Sequence, residues 1–290
     1  WFPAVWLLVA TLSLSTQPAG QQPDAGIGKL DAEAERWVAA TLKKMTLDDK
    51  VGQLIVSSFR AEYLSTDSDE YDALVKSIHA YKIGGFHVFG GTEAVPDVLL
   101  DAHYGTVTLG QPLAAASILN RLQAIAPYPL LVTADFETGA GFRLEGATGF
   151  PRNMAFGAAA DEQLAHDAGR ITAVESRAIG VHVNFAPVVD VNNNPRNPVI
   201  NTRSYGEDPD LVGRLGAAYI RGLQGAGMLA TLKHFPGHGD TDVDSHLGLP
   251  IIKDPRASLE KMQIAAAQLE VARGEKNQEK ISSLEKQKTE

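Results

Sequence analysis

Apolar residues along the chain fall into two kinds of run that alternate. Residues 31–45, DAEAERWVAATLKKM, place Trp37, Val38, Leu42 and Met45 at helical spacing behind Asp31, an acid suited to cap a helix N-terminus. Thr46 and Asp49 then stand at the spacing of a capping box. The stretch after them, VGQLIVSSF, is β-branched and of strand type. Four more such runs follow: GGFHVF, PLLVTADF, VHVNFAPVVDV and MLATLKHF. Each is apolar almost throughout, which is the pattern of a strand covered on both faces.

Helices with legible ends lie between these strands. DEQLAHDAGRITAVESRAIG opens on Asp161 and Glu162 and ends at Gly180, a residue suited to the left-handed position that stops a helix. DPDLVGRLGAAYIRGLQGAG has Pro209 in the first turn, where a missing N–H costs nothing, and Gly225 and Gly227 beyond its expected end. Strand, helix, strand in repetition specifies an α/β fold with a parallel sheet and right-handed crossovers. No GxGxxG loop follows any strand. The polar residues gather instead at the C-terminal ends of several strands: Asp135 and Glu137, Asp190 and Asn192 to Asn194, Lys233 and His234. That distribution predicts a (β/α)8 TIM barrel, whose catalytic face is built there. About five of the eight strands are present, so the barrel is expected to be incomplete.

The two ends of the chain differ from this middle. Residues 1–28 begin with the apolar run WFPAVWLLVATLSLS and pass through small residues near Ala19 and Gly20, as a signal peptide and linker do. The run is shorter than the roughly 18 unbroken apolar residues of a membrane span, so the expectation is export to a periplasmic or extracellular space, with no span in the mature chain. Residues 29–252 carry the partial barrel, and residues 253–290 form a charged helical tail with no aromatic residue. Net charge is −9 and the basic residues are scattered, which argues against nucleic acid as a partner. The chain has no cysteine, which removes disulfides and thiolate chemistry.

The densest chemistry lies in LKHFPGHGDTDVDSHLGLP, residues 232–250, with three histidines and three aspartates. Proline and glycine make it a loop after a strand. One reading is turn-forming and packing residues; a second is a metal site, although the spacing of His234, His238 and His246 matches neither HExxH nor the usual zinc signatures. A third is acid/base work by Asp244 and His246, two residues apart, where the carboxylate orients the imidazole and raises its proton affinity.

KHFPGHGDTDVDSH resembles the signature of the β-N-acetylhexosaminidase branch of glycoside hydrolase family 3. LLVTADFETGAGFRL and GVHVNFAPVVDVNNNPRNPVINTRSYGEDP extend the resemblance over about residues 46–252, in the family's order. The resemblance implies a TIM-barrel domain that releases terminal β-linked N-acetylglucosamine from glycans or peptidoglycan fragments, with a carbohydrate as partner and neither metal nor cofactor. It places the acid/base role on His246 with Asp244 as its partner, and sugar binding on Asp135, Arg203, Lys233 and His234. Glu137 and Arg143 stand outside this set, and His238 is read as shaping the loop. Arg203 has a structural alternative, pairing with Glu207 or Asp208. The family's attacking aspartate has no counterpart here, since Glu260, Glu270, Glu275, Glu279 and Glu285 all sit in a hydrophilic helical context. A truncated or frameshifted gene, a fragment cut from a longer enzyme and a non-catalytic derivative would each account for this, and the 290-residue chain is expected to be prone to aggregate and inactive by itself. The alternatives are a non-catalytic sugar-binding remnant and a β-glucosidase or β-xylosidase of the same family.

Overall fold

A computed structural model describes residues 30–90, 110–252, 255 and 257. The signal peptide expected over residues 1–28 lies outside them, as does the tail from Lys253 apart from Pro255 and Ala257. The chain runs α1 (Ala32–Lys44), α2 (Leu47–Gln53), β1 (Val56–Arg60), α3 (Asp69–Tyr81), β2 (Gly85–Phe89), α4 (Pro112–Ile125), β3 (Leu131–Ala134), α5 (Asn153–Ala159), α6 (Glu162–Ile179), β4 (Val183–Asn184), α7 (Pro209–Gly225) and β5 (Leu229–Ala230). All five strands are parallel and lie in one sheet in chain order. Consecutive parallel strands joined through helices are the unit from which a β/α barrel is built.

Helix ends follow local chemistry. Asp31 accepts from Glu33 N and Ala34 N, and Thr46 and Asp49 form the reciprocal capping box. Asp161 caps α6, and Gly180 ends it at a φ of 102° that favours glycine. Asp208 caps α7 with Pro209 in its first turn. Three expectations need correcting. Val51 to Gln53 complete α2, because the capping box starts a helix there, so the strand in VGQLIVSSF begins only at Val56. Regular pairing in VHVNFAPVVDV and MLATLKHF covers two residues each, with an isolated bridge from Val188 to Lys233 beyond it. Gly225 is the last residue of α7 rather than a position past its end.

The sheet has two different faces. Phe86, Val88, Val132 and Ala134 point toward the helices and are at most 1% exposed, each bulky side chain adding about 1.5–3 kcal/mol by burial. Their neighbours on the concave side remain partly open: Val56 42%, Leu131 43%, Leu229 39% and Phe185 36% exposed. Coverage on both faces, which the apolar runs predict, is therefore met only on the helical side among the described residues. Among the described residues the five strands form one sheet with β1 and β5 at its edges. The apolar stripe of α1 likewise stays open, and Trp37, Leu42 and Met45 line a groove of about 610 Å³ with Leu54, Tyr128 and Pro129. Among the described residues no helix is long and apolar enough to cross a membrane.

Helices α6 and α7 cross in backbone contact through two glycines. A Cβ on Gly169 would stand 2.2 Å from Tyr219 O, and one on Gly222 would stand 2.0 Å from His166 O. Gly222→Ala should force the pair apart and lower unfolding free energy by roughly 1–3 kcal/mol. Gly225→Ala, whose new methyl group meets nothing within 4 Å, should cost nothing or stabilise by up to about 1 kcal/mol. Urea unfolding followed by circular dichroism checks both, and equal effects would contradict the close crossing.

Candidate active site

Alternation along the strands sends one set of side chains to the concave face. His87 on β2 bonds Thr133 on β3 through Nδ1 at 2.9 Å and stacks on Phe185 with ring centroids 5.3 Å apart. Two residues beyond Thr133, at the C-terminal end of β3, stands Asp135. Lys233, beyond β5, reaches across the sheet and donates from Nζ to Asp135 Oδ1 at 2.6 Å. Burial lowers the proton affinity of His87, with Asp135 opposing and Arg143 and Lys233 adding to the effect, which favours the neutral ring.

Glu137 is the centre of that cluster. Its carboxylate is buried and takes a fork from Arg203, Nε to Oε2 at 2.9 Å and Nη2 to Oε1 at 2.7 Å, while Lys233 Nζ lies 2.8 Å from Oε1. Desolvation by itself would raise the carboxyl's pKa. The charges of Arg203 and Lys233, with their hydrogen bonds, outweigh it and hold the group well below the ordinary glutamate range. Arg203 also donates Nη1 to Val199 O at 3.0 Å, and its own carbonyl accepts from Asn153 Nδ2 at 2.8 Å. The alternative pairing of Arg203 with Glu207 or Asp208 is thus replaced by Glu137. Arg143, which the sequence left out together with Glu137, reaches Asp135 Oδ2 at 3.4 Å and lies over the rings of Phe89 and Phe142.

A second buried carboxylate, Asp190, holds the loop after β5. Oδ2 accepts His234 N at 3.1 Å and faces His234 Nδ1 at 2.6 Å, and Oδ1 accepts His238 N at 2.7 Å. Arg203 Nη2 lies 3.4 Å from His234 Nε2. A guanidinium only donates, so Nε2 must accept and the His234 proton sits on Nδ1, directed at Asp190. Asn197 ties two loops together: Nδ2 donates to His238 O at 2.7 Å, and Oδ1 accepts Ile200 N at 2.7 Å. Gly239 is required where the loop crosses Val191, since a Cβ there would lie 1.7 Å from Val191 O. The loop-shaping role read for His238 agrees with these bonds.

Asp244 and His246 meet as their spacing predicts. His246 Nδ1 is 2.6 Å from Asp244 Oδ1, which also accepts the His246 backbone N–H at 2.9 Å. Burial opposes ionisation of Asp244, but the two hydrogen bonds from His246 win and lower its pKa. An ionised Asp244 only accepts, so it fixes a proton on Nδ1 of His246. The His246 side chain is 57% exposed while Asp244 is buried, an anchored carboxylate under an accessible imidazole. Asp135, Arg203, Lys233 and His234 therefore come together in one network, and Asp244 and His246 pair with each other on the loop beyond it. Glu137 and Asp190, which the sequence places among the strand-end polar residues without giving either a role, are the carboxylates on which these bonds converge. Among the described residues no group of three or more His, Asp or Glu converges to hold a metal ion.

Removing the charge of Glu137 should leave Arg203 and Lys233 undercompensated and cost about 3 kcal/mol. Glu137→Gln is accordingly expected to melt at lower temperature at neutral pH. Because the folded pKa is depressed, the stabilisation is present above the ordinary value of 4.5 and is lost as pH falls below it toward the folded value. Thermal melts of the parent chain should therefore drop between about pH 5 and pH 3, with a shallower acid slope in Glu137→Gln. Identical slopes would remove Glu137 from its central position.

Comparison with known proteins identifies the family. The model for the glycosyl hydrolase family 3 N-terminal domain matches residues 46–276. Beta-hexosaminidase A of Pseudoalteromonas piscicida is 43% identical over 158 residues, covering 51% of this chain and 26% of that protein. A beta-N-acetylglucosaminidase/beta-glucosidase of Cellulomonas fimi is 35% identical over 221 residues, 75% of this chain and 34% of that protein. Among solved structures, a family 3 beta-N-acetylglucosaminidase from Paenibacillus sp. str. FPU-7 superposes with a TM-score of 0.67 at 42% identity, covering 79% of this chain and 40% of that one. The chain thus spans less than half the length of these relatives, and within that span its fold and sequence belong to glycosyl hydrolase family 3 as the family's N-terminal, TIM-barrel-like domain.

Proposed function

We propose that this chain supplies the sugar-binding and acid/base part of a retaining β-N-acetylhexosaminidase, an exported enzyme acting on terminal β-linked N-acetylglucosamine in glycans or peptidoglycan fragments. The observation that carries the proposal is the convergence of Asp135, Arg203, Lys233 and His234 at the C-terminal end of the sheet, with the Asp244–His246 pair on the loop that follows β5. Charged groups held rigid by one another present fixed donors and acceptors to several hydroxyls at once and reject ligands that lack them. Three carboxylates (Asp135, Glu137, Asp190) balance three cations (Arg143, Arg203, Lys233), which suits an uncharged sugar ring.

In this reading the Nε2 of His246 protonates the departing glycosidic oxygen and then takes a proton from the attacking water. Asp244 holds the ring and stabilises the imidazolium. A retaining reaction also needs a carboxyl group about 5 Å away on the other face of the anomeric carbon. No residue of this chain is assigned to it. The names of two relatives, beta-hexosaminidase and beta-N-acetylglucosaminidase, support the substrate class. The expectation of export rests on the apolar start of the sequence.

Saturable binding of N-acetylglucosamine by the 290-residue chain, measured by calorimetry, is expected without turnover of a chromogenic β-N-acetylglucosaminide. Asp135→Asn should weaken that binding by about tenfold or more, as loss of a charge-assisted hydrogen bond does. In a form extended to the length of its relatives, hydrolysis should appear and His246→Ala should reduce it by about two to four orders of magnitude. Faster hydrolysis of the glucoside than of the N-acetylglucosaminide by that form would point to the β-glucosidase reading instead.

A further inference from the structure

The loop that carries the Asp244–His246 pair is held from the side by the loop after β4. Asn194 is buried and donates from Nδ2 to Asp242 Oδ1 at 2.7 Å, with Asp240 O at 3.3 Å from the same nitrogen. Its own Oδ1 accepts Arg196 N at 3.0 Å, so the amide is turned with its donors toward the second loop. The Arg196 guanidinium also stands 3.8 Å from Asp242 Oδ1, but that side chain is 83% exposed. An exposed ion pair of this length contributes little, and the bond from the buried amide is the one that fixes a position.

Bonds lead away from this contact in two directions. On the Asn194 side, Asn197 N donates to Asn194 O at 3.0 Å, Ile200 N to Asn197 Oδ1 at 2.7 Å and Arg203 N to Ile200 O at 2.8 Å. The series ends at the arginine that grips Glu137. On the Asp242 side only Val243 intervenes before Asp244, whose carbonyl accepts Leu247 N and Gly248 N, each at 3.0 Å. Residues 244–248 are therefore one tight turn, and His246 goes where that turn goes. Asp244 and His246 fix their own pairing, yet that pairing does not decide where the pair stands relative to Asp135, Arg203, Lys233 and His234. A bond between the two loops does.

We propose that Asn194 and Asp242 are positioning residues, a latch between the loops after β4 and β5 that sets where His246 stands relative to the sugar-binding network. Asp242 serves in it as an acceptor rather than as a charge. The inference rests on the acid/base reading above, and the experiment separates the two.

In the 290-residue chain, hydrogen–deuterium exchange read by mass spectrometry follows the loop. Asp242→Ala should speed exchange over residues 240–248 by about tenfold, the loss of one charge-assisted hydrogen bond, while α6 and α7 exchange at the parent rate. Asp242→Asn, which keeps an acceptor oxygen without the charge, should match the parent. In the form extended to the length of its relatives, Asp242→Ala should lower kcat on a chromogenic β-N-acetylglucosaminide by about ten- to a hundredfold, as misplacing a catalytic group does, with KM within about twofold. Asn194→Asp sets two carboxylates against each other and should lower kcat likewise. The double variant with Asn194→Asp and Asp242→Asn, in which donor and acceptor change places, should recover most of the rate. Parent-like exchange and kcat in Asp242→Ala, or an Asp242→Asn variant as impaired as Asp242→Ala, overturns the latch and leaves the acid/base reading standing. An extended parent form that hydrolyses no β-N-acetylglucosaminide overturns the acid/base reading and this inference with it.

Discussion

A buried glutamate that must stay ionised organises this molecule's functional end. Glu137 is removed from water, and it keeps its charge only because Arg203 and Lys233 reach it from two loops that are far apart in sequence. Each partner has further fixed points: Arg203 at Val199 O, Lys233 at Asp135. Buried ion pairs contribute little net stability compared with an apolar core, since desolvation offsets attraction. What they contribute here is geometry, because an arginine and a lysine committed to a buried carboxylate cannot wander. The groups proposed to bind a sugar are therefore preorganised by a residue outside that set.

Asp190 does for the backbone what Glu137 does for the side chains. One carboxylate receives both ends of the turn from His234 to His238 and also sets the tautomer of His234. Asn197 then joins the same turn to the loop that carries Arg203. Three segments meeting at the C-terminal ends of the strands become one body without regular secondary structure. His246 is built differently. Its carboxylate partner is buried but its ring is more than half exposed, which suits the proton-delivering role proposed for it.

The open concave face follows from the same topology. Five parallel strands stand in chain order, but a barrel of this class takes eight. The inward side chains Val56, Leu131, Phe185 and Leu229 accordingly stay near two-fifths exposed, while the outward set under the helices is fully packed. The three relatives compared above are each more than twice as long as the span they share with this chain.

Much of this was legible in the chain before any coordinates. The alternation of apolar runs with capped helical stretches determined a parallel α/β sheet, and Asp31, Thr46, Asp161, Gly180 and Pro209 marked helix ends by local hydrogen bonding and backbone preference alone. The Asp244–His246 pair was also accessible, because a two-residue spacing in a loop fixes its own geometry. Tertiary structure decided the rest. Whether Arg203 paired with nearby Glu207 or with Glu137, 66 residues away, depended on which carboxylate was buried, and burial is set by the packing of distant elements. Glu137 and Asp190 read locally only as polar residues at the ends of apolar runs. They became centres only when folding withdrew them from water and made every available donor converge on them.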